Sequence, residues 1–251
     1  MSDLLLQPIV GGVKHKSVAS EANYLFDAHP ASLAEDIPSA YSIKDRMPYV
    51  YKQIYGSCTA NAVLACDHYY CHTNKHHPSA TFTYHQARVL DGCGKSRRDD
   101  GSSVESALQA VRKYGVCKDS VWSNNKPFYK TPSKEAYADG LKGHELSKYY
   151  RLKSLTQLKK ALAKDYPVAC AVNWQFRSIS GVTWILTPPY EEDLDEWSGH
   201  AIVIVGYDDE TRLVEMRNSW GSQWGNNGYA YIDYDTFKKI VSWYDTYAVI
   251  K

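Results

Sequence analysis

The sequence predicts an α+β protein with two segregated lobes, and three observations carry that expectation. Helix-period patterning dominates the first half of the chain, with a last amphipathic segment at 155–163. From Pro167 onward the texture changes to short β-rich runs separated by Gly, Asp and Asn turns. At 251 residues the chain can bury one sizeable core or form two small lobes sharing a cleft. Helices first and strands second is the pattern of an α+β arrangement.

Residues 1–36 lack sustained periodicity and read as an N-terminal extension with one short helix near Val18–Phe26. After Ser57 the run Cys58-Thr59-Ala60-Asn61-Ala62 opens a helix over about 58–72, with Ala62, Cys66 and Tyr69 or Tyr70 at helical spacing. A second helix starts at Ser102-Ser103-Val104-Glu105, where Ser102 and Glu105 match a capping box. Its buried stripe is Val104, Leu108 and Val111, and Gly115 is a natural stop. The polar stretch from Ser120 to Gly140 suits a connection between lobes. A third helix covers Leu155 to Ala163, through Leu155, Leu158 and Leu162. Strands are expected at Pro167–Val172, Ala201–Val205, Arg212–Arg217 and Gly228–Ile232. The helical lobe is then about 37–125 and the β-rich lobe about 145–251.

The 29 basic and 28 acidic residues nearly cancel, which leaves no cationic excess for binding nucleic acid through bulk electrostatics. The apolar stretch Leu4 to Val10 is broken by Gln7 and Pro8 and preceded by an acid, unlike a secretory signal. Ala201–Val205 is the longest clean apolar run elsewhere, far short of the roughly 20 residues that span a bilayer. No membrane or nucleic-acid partner is expected, and synthesis in the cytoplasm is. If Cys58 is a free nucleophile, the five other cysteines cannot all pair, which excludes a full disulfide framework and agrees with a reducing compartment. No Cys/His pairs show zinc-ligand spacing, so neither a metal nor a cofactor is expected.

Three strings carry chemistry. Cys58 stands at the start of a helix, where unpaired backbone N–H groups and the positive end of the dipole favour the thiolate. The bland reading is a small buried hydrophobe. His200, in Ser198-Gly199-His200-Ala201, lies at the mouth of an apolar strand that can direct its ring into a cleft. As an imidazolium it would hold Cys58 ionised and later protonate a leaving amine. Against this stands a core histidine bonded to a carbonyl. Asn218 opens Asn218-Ser219-Trp220-Gly221-Ser222-Gln223-Trp224-Gly225, the most specific string in the chain. Its amide oxygen can accept the Nδ1 proton of the histidine, with Trp220 as a roof against water.

In that order, Gln53…Gly56-Ser57-Cys58, Gly199-His200-Ala201 and Asn218-Ser219-Trp220-Gly221 resemble the papain family of cysteine peptidases. Cys58 and His200 are 142 positions apart, near the family's usual separation, and Asn218 follows 18 further on. The likeness covers roughly 37–251, starting at Ile37-Pro38-Ser39-Ala40-Tyr41. It implies a helical lobe, an antiparallel barrel-like lobe, and a cleft between them where Cys58 meets His200. It makes Gln53 the oxyanion-hole amide, beside the backbone N–H of Cys58. The Gln53-to-Cys58 spacing is five where the family has six, so the loop takes a tighter path. Tyr55 stands where secreted members carry a disulfide cysteine, and Thr59 replaces their tryptophan, which places the chain nearer a bacterial or large-virus branch.

The resemblance further implies a protein or peptide substrate lying extended along the cleft, with its backbone paired to a segment matched here by Asp99-Asp100-Gly101-Ser102-Ser103; the bland reading is that Gly101 only shapes the turn into the helix. Pocket walls are expected from Val168, Ser198 and Ala201, with Tyr244 or a neighbour as floor. The acidic run Glu191 to Glu196 reads as a solvated loop; if it overhangs the cleft it favours basic substrates and raises the pKa of His200. The implied activity is thiol-dependent endopeptidase hydrolysis through an acyl-enzyme by a monomer. Residues 1–36 precede the apparent domain start and lack a core of their own; they read either as a short autoinhibitory segment of a zymogen or as an ordered strap or frayed tail. Two further readings use the same strings: a catalytically weak peptide-binding homologue, and an isopeptidase or acyltransferase with the same nucleophile.

Overall fold

The computed structural model describes residues 25–33, 36–71, 76–143, 146–195 and 197–251. Six α-helices and nine strands follow in the order β1 (Ala40–Ser42), α1 (Cys58–Tyr69), α2 (Ala80–Leu90), α3 (Val104–Tyr114), α4 (Lys134–Gly140), β2 (Lys148–Arg151), α5 (Leu155–Leu162), β3 (Val168–Asn173), β4 (Ser178–Ile179), β5 (Leu186–Thr187), β6 (Gly199–Asp208), β7 (Leu213–Arg217), β8 (Tyr229–Asp233), α6 (Tyr234–Ile240) and β9 (Val241–Ile250). The α+β expectation holds, with helices first and an antiparallel sheet second.

Alternation in β6 and β7 gives way to near-continuous burial, because this sheet is covered on both faces. Its order is β2-β9-β3-β6-β7-β8, with β1 added beside the far half of β6; β4 and β5 form a separate hairpin. All described pairings between these strands are antiparallel, and β3 is flanked by β6 and β9. α1 is buried along its whole length, packed against α2, α3 and β6. The expected stripe of Ala62, Cys66 and Tyr69 was therefore too narrow, as a helix central to the molecule has no solvent face.

Two local expectations need correction. The cap of α3 is Ser103, whose hydroxyl accepts from Ser106 N, and not a box between Ser102 and Glu105. The Ser102 hydroxyl instead donates to Asp91. The stretch from Ser120 to Gly140 is no bare connection: Trp122 and Ala136 pack against Phe82 and Cys117, and Phe128 against Tyr84, and it holds α4. The expected stop at Gly115 is present, with φ at +72° and a Cβ there falling 1.8 Å from the Gly140 carbonyl oxygen. Glycine is what lets the ends of α3 and α4 touch.

Of the expected helix near Val18–Phe26, only the last two residues are described; Phe26 begins a short 3-10 turn, Phe26–Ala28. The rest of that segment lies outside the described residues. None of the six cysteines is in a disulfide. Among the described residues no helix is long and apolar enough to cross a membrane.

Candidate active site

Cys58 is the first residue of α1 and is 1% exposed. The residue before it, Ser57, does not perform the usual capping job; its hydroxyl turns to Tyr55 O and Asn61 instead. First-turn N–H groups are thus left for the sulfur. The N–H groups of Cys58, Thr59 and Ala201 all favour the thiolate. Burial opposes them and is the larger effect, pushing the thiol up to about 11. The Ala201 contact carries the geometry, because it brings the thiol to the backbone beside His200.

His200 is the second residue of β6 and fully buried. Its Nε2 lies 2.8 Å from Asn218 Oδ1. That same oxygen accepts the N–H of Ser219 at 2.8 Å, which fixes the amide with its oxygen toward the ring. Nε2 is consequently the donor and carries the proton, and Nδ1 keeps the lone pair. The sequence predicted the opposite nitrogen. The correction follows from where the ring hangs: Nδ1 is the nitrogen nearer the 200–201 backbone that reaches Cys58, and Nε2 is the distal one that reaches the end of β7. Among the described residues Nδ1 has no hydrogen-bond partner.

Burial lowers His200 to about 4, with the Asn218 bond a smaller opposing effect. Among the described residues no acid of the 191–196 run raises His200. Glu191 of that run is paired with Lys239, and the backbone carbonyls of Asp193 and Leu194 accept from Gln175 and Asn173. Burial thus favours a neutral thiol and a neutral imidazole.

Three indoles cluster at the histidine. Trp220 lies 5.0 Å from the His200 ring, tilted by 36°, as the predicted roof. Trp174, which sequence reasoning missed, meets the same ring edge-on at 4.9 Å and Trp220 at 5.2 Å. Trp224 backs both indoles, 5.5 Å from Trp220 and 6.1 Å from Trp174. Trp174 follows Asn173, the β3 residue that pairs with Gly199, so it is the strand register that brings its indole to the ring.

Gln53 is anchored through backbone and side chain together. Its N–H donates to Ser219 O at 2.7 Å, and its Oε1 accepts from the Ser219 hydroxyl at 2.5 Å. Its Nε2 donates to Tyr55 O at 3.1 Å, so the nitrogen faces the shortened loop that leads to Cys58. Gly101, at φ +73°, and Ser102 form the turn into α3. Ala201 and Ser198 flank His200; the Ser198 N–H is held by Asn173 Oδ1.

Two expected pocket residues are elsewhere. Val168 sits opposite Ile204 at the far end of β3, and it is Ala171 that pairs with both Ala201 and Ser242. Tyr244 is 74% exposed, its ring over Arg151, and the inward residue is its neighbour Asp245. Antiparallel register and strand alternation decide both, and neither is visible in one strand's sequence.

A nucleophile-type residue at a helix N-terminus, facing an imidazole–amide pair on an antiparallel sheet, is the arrangement of thiol peptidases. A family model described as papain family cysteine protease matches residues 44–244, and the chain belongs to that family. It is 30% identical over 199 residues to an uncharacterized peptidase C1-like protein of Acanthamoeba polyphaga mimivirus, covering 71% of this chain and 62% of that relative's length. Among solved structures, xylellain, a cysteine protease from Xylella fastidiosa, aligns over 99% of both chains with a TM-score of 0.78 at 23% identity. A Carica candamarcensis cysteine protease solved in complex with E-64 aligns over 86% of this chain and 99% of its own, with a TM-score of 0.62 at 20% identity.

Proposed function

We propose that the protein is a cysteine-type endopeptidase, with Cys58 as nucleophile, His200 as base and acid, Asn218 as the orienting amide and Gln53 as an oxyanion donor. The observation that carries this is the double use of Asn218 Oδ1, which leaves the Nδ1 lone pair of His200 as the proton acceptor on the side of the thiol. The sulfur attacks the peptide carbonyl carbon as its proton passes to Nδ1. The tetrahedral adduct collapses, the C–N bond breaks, and the imidazolium gives that proton to the leaving amine. Water then attacks the thioester, Nδ1 takes its proton, and the acid is released as the thiol is restored. The proton passes from thiol to Nδ1 within the site, so net charge stays constant through the step.

Membership in the papain family and the Gln53–Ser219 anchor support the same reading. The substrate is an extended peptide whose backbone pairs with Gly101. For residues 1–36, ahead of the family match, two readings stand, a short inhibitory segment of a zymogen and an ordered strap; a 37–251 chain faster than the full chain on a small peptide supports the first, and equal rates reject it.

The primary test is titration of the full chain with iodoacetamide while a fluorogenic peptide is hydrolysed. Labelling confined to Cys58 with hydrolysis lost in proportion supports the peptidase, and Cys58→Ala is inert in both. Undirected slow labelling with no turnover favours the peptide-binding homologue. Turnover of an isopeptide-linked substrate in preference to a linear peptide favours an isopeptidase, and preferential transfer to an added acyl acceptor favours an acyltransferase.

A further inference from the structure

Two arginines, Arg88 and Arg217, are the largest fully buried side chains among the described residues, and the proposed chemistry does not use the first. Arg88, in the last turn of α2, is 0% exposed. Its Nη2 donates to the carbonyls of Arg98 at 2.7 Å, Ser96 at 3.3 Å and Cys93 at 3.4 Å, and its Nη1 donates to Gly101 O at 3.2 Å and Tyr84 OH at 3.5 Å. The guanidinium stacks over Phe128 and Tyr84 at 5.1 and 5.4 Å. One buried charge thereby fixes the loop between α2 and α3, which carries Gly101.

Asp99 projects from that loop. Its Oδ1 accepts from Tyr84 OH at 2.5 Å, and its Oδ2 accepts from the backbone N–H of Gly56 at 2.8 Å. Gly56 lies two residues ahead of Cys58. No disulfide ties the 54–57 loop down, because none of the six cysteines is in one. The charge of Asp99 works against a thiolate at Cys58. A carboxylate in that place is electrostatically unhelpful to the nucleophile, so its contribution lies in the two hydrogen bonds.

We infer that Asp99 is a positioning residue: its carboxylate ties the loop that delivers Cys58 to the Tyr84–Arg88 frame that also fixes Gly101. The nucleophile and the segment proposed to pair with substrate are thereby held in one register. This inference rests on the peptidase reading only for its kinetic consequence; the tie itself is read on the thiol.

The test compares Asp99→Asn with Asp99→Ala in the full chain. Both remove the charge, so the difference between them reads the tie alone. The asparagine can still accept from Gly56 through Oδ1 and donate to the Tyr84 oxygen through Nδ2. Expected is a kcat within about threefold of wild type for Asp99→Asn and about tenfold or more lower for Asp99→Ala, with KM changing less in both, since a small misplacement of reacting atoms costs rate before binding. Alkylation of Cys58 by iodoacetamide from pH 5 to 10 is expected to be about tenfold slower in Asp99→Ala than in Asp99→Asn. Equal behaviour of the two variants overturns the inference. If Asp99→Ala is not recovered folded, Tyr84→Phe takes its place. It removes one of the two ties, is expected to lower kcat and Cys58 alkylation by about threefold, and overturns the tie if both are unchanged. A wild-type chain that hydrolyses no peptide refutes the peptidase while the alkylation comparison still decides the tie.

Discussion

Burial sets the proton affinity of His200 at about 4, against an ordinary 6.5. Below pH 6.5 the unfolded chain takes up a proton at this residue and the folded chain does not. The folded state therefore loses stability as pH falls from 6.5 to 4, on the order of 3 kcal/mol across the window at about 1.36 kcal/mol per pKa unit. His200→Asn is expected to shrink the change in unfolding free energy between pH 7 and 4.5 by about 2 kcal/mol in denaturant titrations; an unchanged slope rejects the buried neutral histidine. At Gln53 the expectation is kinetic. Gln53→Ala should lower kcat by about 10²–10³ with little change in KM, as removal of one oxyanion donor does. A loss below about fivefold would mean that the five-residue spacing aims the amide away from the carbonyl. The sequence singles out Cys58, His200 and Asn218, which the fold brings together, because each sits in a short contiguous string. It does not single out Trp174, since the contact of that indole with His200 depends on the register of β3 with β6. The assignment of Asn218 to Nδ1 failed for a related reason: which nitrogen it meets is set by the ring's orientation on the strand.

At the scale of elements, the most consequential contact crosses between the lobes. Asp245 of β9 accepts from the N–H groups of Val104 and Glu105 at 2.8 and 3.0 Å, so a strand of one lobe holds the first turn of α3 in the other. From the C-terminal end of α2, Asp91 takes the hydroxyls of Ser102 and Ser106. Burial raises Asp245 to about 7, and the negative charges of Glu105 and Asp91 add to that, against the two backbone N–H groups. The sign is that of a raised acid. The folded state binds the proton better, so its stability declines as pH rises from about 3.8 to 7. Asp245→Asn keeps an acceptor without the charge. Relative to wild type it should gain about 2–3 kcal/mol between pH 5 and pH 8, measured by urea unfolding at both; a pH-independent difference shows that the carboxyl is not protonated in the fold. No sequence rule pointed to this contact, because it joins residues 140 positions apart. The same limit hid α2. Its sequence, Ala-Thr-Phe-Thr-Tyr-His-Gln-Ala-Arg-Val-Leu, has no single apolar stripe and is buried through its first nine residues. α3 and α5 each keep one polar face, and their patterns read correctly.

Across the whole molecule the site and the described part of the extension lie at opposite ends of one strand. His200 stands near the start of β6, and the far end reaches Asp208, beside which Asp209 meets Lys159 of α5. Nine residues of extended chain separate them by roughly 30 Å. Residues 25–33 pack at the α5 end: Phe26 is fully buried, Lys160 donates to Ser32 O at 2.6 Å, and Asp27 pairs with Lys153. His29 meets the rings of Tyr150 and Tyr166 edge-on. This stretch works as a strap on the β lobe, anchored by one aromatic side chain. Phe26→Ala should cost about 3–5 kcal/mol in unfolding free energy, as deletion of a buried aromatic does. Because the strap is remote from Cys58, kcat on a small peptide should remain within about twofold of wild type at a temperature where the variant is folded. A variant that keeps its stability while its kcat falls would place the strap's influence in the cleft and not in the core.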